Sequence, residues 1–275
     1  TISTGTVDAN GAFDATGGFI TFTDAGNLNL SSVVTDLGTL FTTKGTVIYD
    51  GVDQTVFSDV YYSLTSGGGS GTKTLGGAVT VAGVFTVDTL VTTAMEGNNL
   101  TVTDETDING TITISTATLD ANGAFDATGG TITFTDAGNL NLDSTVTSLG
   151  TLSDNFGTVI YDGVDQVVFS DVYYSLTAGG GSGTKTLAGA VTVAGDLTID
   201  TDVTIAMDTH DLTVTNATDI DGTLAVADNT LTLDGTSDID GVITISTGTV
   251  DVNGVFDAEN GSITFTGAGN LTLDS

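Results

Sequence analysis

Residues 212–252 read LTVTNATDIDGTLAVADNTLTLDGTSDIDGVITISTGTVDV. Apolar pairs return through this stretch at a fixed step. Leu212-x-Val214, Leu231-x-Leu233 and Val250-x-Val252 recur at a spacing of 19. Leu224-x-Val226 and Ile243-x-Ile245 share that spacing, and Ile263-x-Phe265 follows at a spacing of 20. Within each pair, apolar residues alternate with Thr, Ala, Ser or Asp, which is the period of a strand with one buried face. Gly, Asn and Asp fill the gaps, as turns require. A turn that returns at this step, with equivalent strands stacked on one another, predicts a β-solenoid. One coil cannot bury its apolar face alone, but stacked neighbours form a continuous core. The expected fold is therefore all-β, one continuous solenoid over residues 1–275.

A longer repeat lies over this short one. Residues 1–32, 113–144 and 244–275 are near copies, opening TISTGTVDANGAFDATGG, TISTATLDANGAFDATGG and TISTGTVDVNGVFDAENG. The long repeats are thus 1–112, 113–243 and a partial 244–275. GTVIYDGVDQTVFSDVYYSLTSGGGSGTKTLGGAVTVAG at 45–83 returns at 157–195. Only Thr55/Val167, Ser66/Ala178 and Gly76/Ala188 differ. The second repeat exceeds the first by one short step, around DGTLAVADNTLTLDGTSDI at 221–239. An insertion of that length adds one coil to a solenoid harmlessly, whereas it would disrupt a β-sandwich.

Composition sets limits on function. The chain carries 35 acidic residues against three lysines, with one histidine and no cysteine, proline or tryptophan, and its net charge is −32. Three lysines cannot neutralise a phosphate backbone, which argues against nucleic-acid binding. No run of 18 apolar residues is present, so no membrane-inserting helix is expected. Thr1–Thr4 has neither a basic nor an apolar signal region. Zero cysteines exclude a disulfide scaffold. Absence of proline suits a ladder that needs every backbone donor. The acidity keeps a repetitive chain soluble.

The block YDGVDQTVFSDVYYSLTSGGGSGTKTLGGAVTVAGVFTVD at 49–88, its copy from Tyr161, and turns such as Gly222-Thr223-Leu224-Ala225-Val226 carry a resemblance. The chain resembles the β-strand-repeat regions of bacterial cell-surface proteins and the filamentous-haemagglutinin-like β-helix adhesins. The resemblance implies a right-handed single-stranded β-helix. It also implies an extracellular or cell-surface location, with a structural role in a filament, in cell adhesion or in a biofilm matrix. Neither end shows a capping element. The expectation is either a window on a longer array with a 243-residue superperiod or a unit that self-associates end to end.

Candidate chemistry clusters at a few places. Asp219-Ile-Asp221-Gly and Asp238-Ile-Asp240-Gly are one coil apart, and Asp107-Ile-Asn109-Gly has the same form. Stacked carboxylates repel unless solvated or bridged. Asp107, Asn109, Asp219, Asp221, Asp238 and Asp240 therefore make a candidate Ca²⁺ corner, set against the plain reading of a solvated turn. No other cofactor is implied. Gly67–Thr74 echoes a glycine-rich calcium repeat, but Lys73 stands at the ligand position; a loop leaving the solenoid is the expectation. Strand alternation in Val60–Leu64 sets Tyr61 and its copy Tyr173 on the face opposite Val60, Tyr62 and Leu64, where they would contact a partner or stack on carbohydrate, set against the plain reading that they fill the core of a wider coil. His210 is expected to be a turn residue. The Thr-x-Thr steps at 21/23, 101/103, 131/133, 213/215 and 264/266 echo ice-binding solenoids.

The leading reading is a structural and adhesive extracellular solenoid, not an enzyme. A calcium-stabilised, carbohydrate-binding adhesin stalk is the alternative. A β-helix polysaccharide-degrading enzyme is the remote one, since aspartates on every coil make a carboxylate pair uninformative.

Overall fold

A computed structural model describes residues 1–41, 43–153 and 155–274. Ser275, the last residue of the third repeat, lies outside them. The chain divides into two compact units, Thr1–Leu140 with Val146–Thr151, and Asn141–Thr145 with Leu152–Ser275. Among the described residues every element is a β-strand, and the strands pair in parallel. The fold is an all-β solenoid with three strands to a coil.

Alternation within each strand builds the core. In Thr223–Val226, Leu224 and Val226 are buried and the residues between are half-buried; Val242–Ile245 and Thr249–Val252 repeat the pattern. Pairing then stacks like on like. Ile205, Leu224, Ile243 and Ile263 form one inward column of the second unit. Each such side chain, once buried, contributes about 1.5–3 kcal/mol. β-branched residues supply most of these positions, where a pleated surface suits them.

The three faces of the second unit run without interruption. One holds Thr158–Tyr161, Ser175–Ala178, Leu197–Ile199, Thr218–Ile220, Ser237–Ile239 and Phe256–Asp257. In the first unit one face is an eight-stranded sheet from Thr6–Ala9 to Val146–Ser148. The other two faces are broken. Phe13–Asp14 pairs with Val34–Asp36, and Phe19–Thr21 with Thr39–Phe41, as two-stranded sheets. New ladders then begin at Gln54–Val56 and Val60–Tyr61.

Coil length varies more than the near-constant step of the sequence suggests. Leu28 faces Val47, Val47 faces Leu64, and Leu64 faces Phe85, which are steps of 19, 17 and 21. Corners shrink or grow by a residue or two while the inward columns stay aligned. The surplus stretch of the second long repeat does form one added coil, with Thr218 facing Ser237.

The first long repeat, however, is not a whole number of coils. Thr6–Ala9 belongs to the eight-stranded face of the first unit. Its sequence equivalent Thr118–Ala121 lies on the face of Val60–Tyr61, Val79–Val81 and Leu100–Val102 in the same unit. The second is the seventeenth strand after the first, one short of six coils of three. The same sequence is therefore presented one face short of the face on which it began.

Candidate functional site

The chemically distinctive residues gather at the coil that begins with Thr46–Tyr49. Among the described residues, two of its faces lack backbone pairing to the coil before, and side chains bridge the missing ladder. Gln54 is buried, and its Nε2 donates to the carbonyls of Leu30 (2.7 Å) and Ser32 (2.8 Å). Its Oε1 accepts from Gly51 N (2.6 Å). The amide thus uses both ends to serve the Ser32 carbonyl and the Gly51 N–H, and adds a second bond to the Leu30 carbonyl, which also accepts from Asp50 N (3.1 Å).

Lys73 serves the other side of this corner. It lies in the strand Gly71–Leu75, pairs with Gln54, and points into the core with no exposed surface. Its Nζ donates to the carbonyls of Gly51 (2.5 Å), Val52 (3.1 Å) and Ser70 (3.4 Å). Burial pushes its pKa down, while Asp53, Asp50 and Asp88 oppose the shift. The loop expected at Gly67–Thr74 is therefore a tight corner followed by a ladder strand. Gly71 makes the corner possible: φ is +89°, and a Cβ there would meet the Val52 carbonyl oxygen at 1.7 Å.

A tyrosine pair closes the same coil. Tyr61 Oη donates to Phe57 O (2.6 Å), and Phe57 N donates to Tyr49 Oη (2.9 Å). The two hydroxyls are 3.0 Å apart. Tyr61 has spent its only proton, so Tyr49 donates between them. Burial pushes the Tyr49 pKa up to about 12, and raises that of Tyr61 further.

The copy in the second unit repeats each feature. Gln166 bonds Leu142 O, Ser144 O and Gly163 N. Lys185 Nζ donates to Gly163 O and Val164 O. Tyr161 and Tyr173 repeat the hydroxyl pair at 3.1 Å.

Tyr61 and Tyr173 are thus core residues with 0% exposure, contrary to the outer-face expectation. The strand Val60–Tyr61 ends at a corner and Ser63–Ser66 begins a new strand, so alternation restarts at Tyr62. Tyr62 and Tyr174 are the exposed rings, at 39% and 40%. Gln54 and Lys73 drew no structural role from the sequence. Their signal was the near-identity of the block around them, which the copy keeps at Gln166 and Lys185.

The aspartate corners fall in both units. In the first, Asn109 Nδ2 donates to Asp107 Oδ1 (2.9 Å), and Asp107 stacks between Thr86 and Asp126. In the second, Asp219, Asp238 and Asp257 are in register on three successive coils. Asp221 and Asp240 occupy the following turns, where their N–H groups bond Ile199 O and Ile220 O. The Asp219 carboxyl is held above its usual range by burial first, then by Asp221, Asp238, Asp240 and Asp200. Among the described residues no group of three or more His, Cys, Asp or Glu side chains is arranged to hold a metal ion.

His210 sits at a turn, its N–H on Met207 O (3.0 Å). Threonines align more fully than the sequence suggested: Thr72, Thr92, Thr111 and Thr131 form one row on four coils of the first unit. Ala94 interrupts the parallel row through Thr74, Thr113 and Thr133.

Stacked coils, buried polar junctions and outward Thr and Asp define a β-solenoid repeat protein. Scans of family models, curated proteins and solved structures each found no match to the chain. Among the described residues no helix is long and apolar enough to cross a membrane.

Proposed function

We propose that this chain is a structural and adhesive segment of an extracellular fibre or long solenoid array. The observation that carries the reading is the duplicated junction: the blocks 45–83 and 157–195, differing at three positions, build the same buried bonds twice. Duplication of internal bonding, rather than of one reactive cluster, is what a scaffold under tension needs. Its work is mechanical. Parallel ladders and a stacked core resist extension, while an acidic Thr-rich exterior resists side-by-side aggregation. The extracellular placement rests on the resemblance of the repeat blocks to surface adhesins. Partners on this reading are further copies or a cell-surface ligand, and no catalytic role is assigned.

Electron microscopy of the native material, with and without a calcium chelator, is the test. Uniform fibres in both conditions are the expected result. Fibres lost on chelation would support the calcium-stabilised alternative at the Asp219–Asp240 corner. Short separate particles in both would overturn self-assembly.

A second reading, an ice-binding face, has the row Thr72, Thr92, Thr111 and Thr131 in its favour, since stacked coils set such hydroxyls about 4.8 Å apart. Thermal hysteresis measured with the intact chain would support it. Its absence would dispose of it.

A further inference from the structure

The broken ladder leaves a cleft on the second face of the first unit. Its volume is about 930 Å³. Three successive coils line it: Val33 from one, Val52, Asp53 and Thr55 from the next, and Thr72 and Thr74 from the third. Two strand edges border it. Among the described residues, Val34–Asp36 pairs only toward Phe13–Asp14, and Gln54–Val56 only toward Gly71–Leu75. Gly76 N donates to Val56 O (2.9 Å), so the backbone groups of Val56 point to the following coil. Backbone groups alternate sides along a strand, so the N–H and C=O of Thr55 point to the unpaired edge.

The chemistry around this edge has one sign. Asp53 lines the cleft, and its Oδ1 accepts from Thr72 N (2.9 Å). The Asp59 carboxyl of the same coil is held above its usual range by burial, and then by Asp36 on the coil before. Lys73 is turned inward onto carbonyls and offers no charge to the cleft. Val33 and Val52 are 68% and 64% exposed, so apolar surface stands beside the carboxylates.

We propose that this cleft takes one extended, basic peptide strand from a partner protein, paired to the Thr55 edge by backbone hydrogen bonds. Strand addition to an open edge draws affinity from the main chain and specificity from alternate side chains. Apolar residues of the incoming strand pack on Val33 and Val52, and the lysines or arginines between them meet Asp53. A polysaccharide would find the carboxylates but has no backbone to match the N–H and C=O of Thr55.

The test uses the intact, isotope-labelled chain and three peptides of about ten residues. One alternates Lys with Val, one alternates Asp with Val, and one is the Lys/Val peptide N-methylated at every second residue. The expected result is binding of the first alone, with hydrogen exchange at Thr55 N–H slowed about tenfold or more. Thr55→Pro removes the outward donor and no ladder donor, so it lowers affinity about tenfold or more while the melting temperature holds. The N-methylated peptide asks the same question with the chain unaltered. Equal binding of the methylated peptide overturns the proposal, as does preference for the acidic one. Binding that leaves Thr55 unprotected, displacement by a neutral polysaccharide, or no binding at all would overturn it too.

Discussion

The Ser66 hydroxyl is fully buried in the ladder between Tyr49 and Val87 and has no hydrogen-bond partner. Its copy is Ala178. A buried hydroxyl without a partner costs about 1–3 kcal/mol. Ser66→Ala is therefore expected to raise stability by about 1 kcal/mol, and Ala178→Ser to lower it similarly, both read from denaturant midpoints. The opposite situation holds for the tyrosine pairs. Tyr49 and Tyr161 are held up at about 12, so the folded state keeps protons that the unfolded chain gives up near 10. Their contribution is complete below pH 10 and is lost as pH rises toward 12, at about 1.4 kcal/mol per pH unit for each ring. Lys73 and Lys185, whose pKa values are lowered, work the other way: stability rises as they lose charge below 10.5. Melting curves across this range should show a shallow alkaline gain and then a steep fall. A flat profile to pH 12 would remove the buried-hydroxyl account. None of this could be read from residue type. A lysine inside a core is rare, and the parity of Tyr61 depends on a corner at Tyr62 that no periodicity reveals.

At the scale of the strand, register turns a sequence pattern into a column. The repeated Asp-Ile-Asp-Gly was legible as two equivalent turns one coil apart, and the ladder places Asp219 directly against Asp238. Their repulsion at roughly 5 Å is softened by solvent, and exposed pairs of this kind are worth about 0.3–1 kcal/mol. Asp238→Asn is expected to stabilise the second unit by a few tenths of a kcal/mol at pH 7 and low salt. The sign follows from the raised Asp219 pKa. Protonation favours the folded state, so stability is complete below the ordinary 3.8 and is lost as pH rises through the raised value. The gain from Asp238→Asn should therefore vanish at acid pH and shrink in high salt. An equal gain at pH 3 would place its cause elsewhere. What the sequence hid at this scale was the broken ladder. The block from Val47 to Leu64 looks like any other alternating stretch. The register of Val47 on Leu64 shows that it closes a shorter coil, and the side-chain bonds of Gln54 and Lys73 show what holds it there.

For the whole molecule, the difference between the two long repeats is a natural experiment in coil number. Removing residues 222–240, GTLAVADNTLTLDGTSDID, takes out the surplus coil of the second repeat. The cut joins Asp221 to Gly241 and yields LTVTNATDIDGVITIS, which follows LTVTDETDINGTITIS at 100–115 closely in residue type. The inward columns close over the gap, because Ile205 and Ile243 each already face Leu224 in the intact chain. The deletion is therefore expected to leave the strand signal per residue unchanged in circular dichroism, and the melting temperature within a few degrees. Removing only 222–231 gives a different outcome. That cut takes out about half a coil, so strands that faced the core arrive at corners, and a slip in register exposes an entire apolar set. Loss of cooperative melting is expected there. If both deletions behaved alike, the chain would tolerate insertion by loop flexibility rather than by coil addition. The short step of the sequence would then lose its standing as the unit of the fold. The shift by one face between Thr6–Ala9 and Thr118–Ala121 sharpens the test, because the fold tolerates a third of a coil only where three-strand bookkeeping is kept from corner to corner. Length can change by strands that carry their own corners, and not by an arbitrary count of residues.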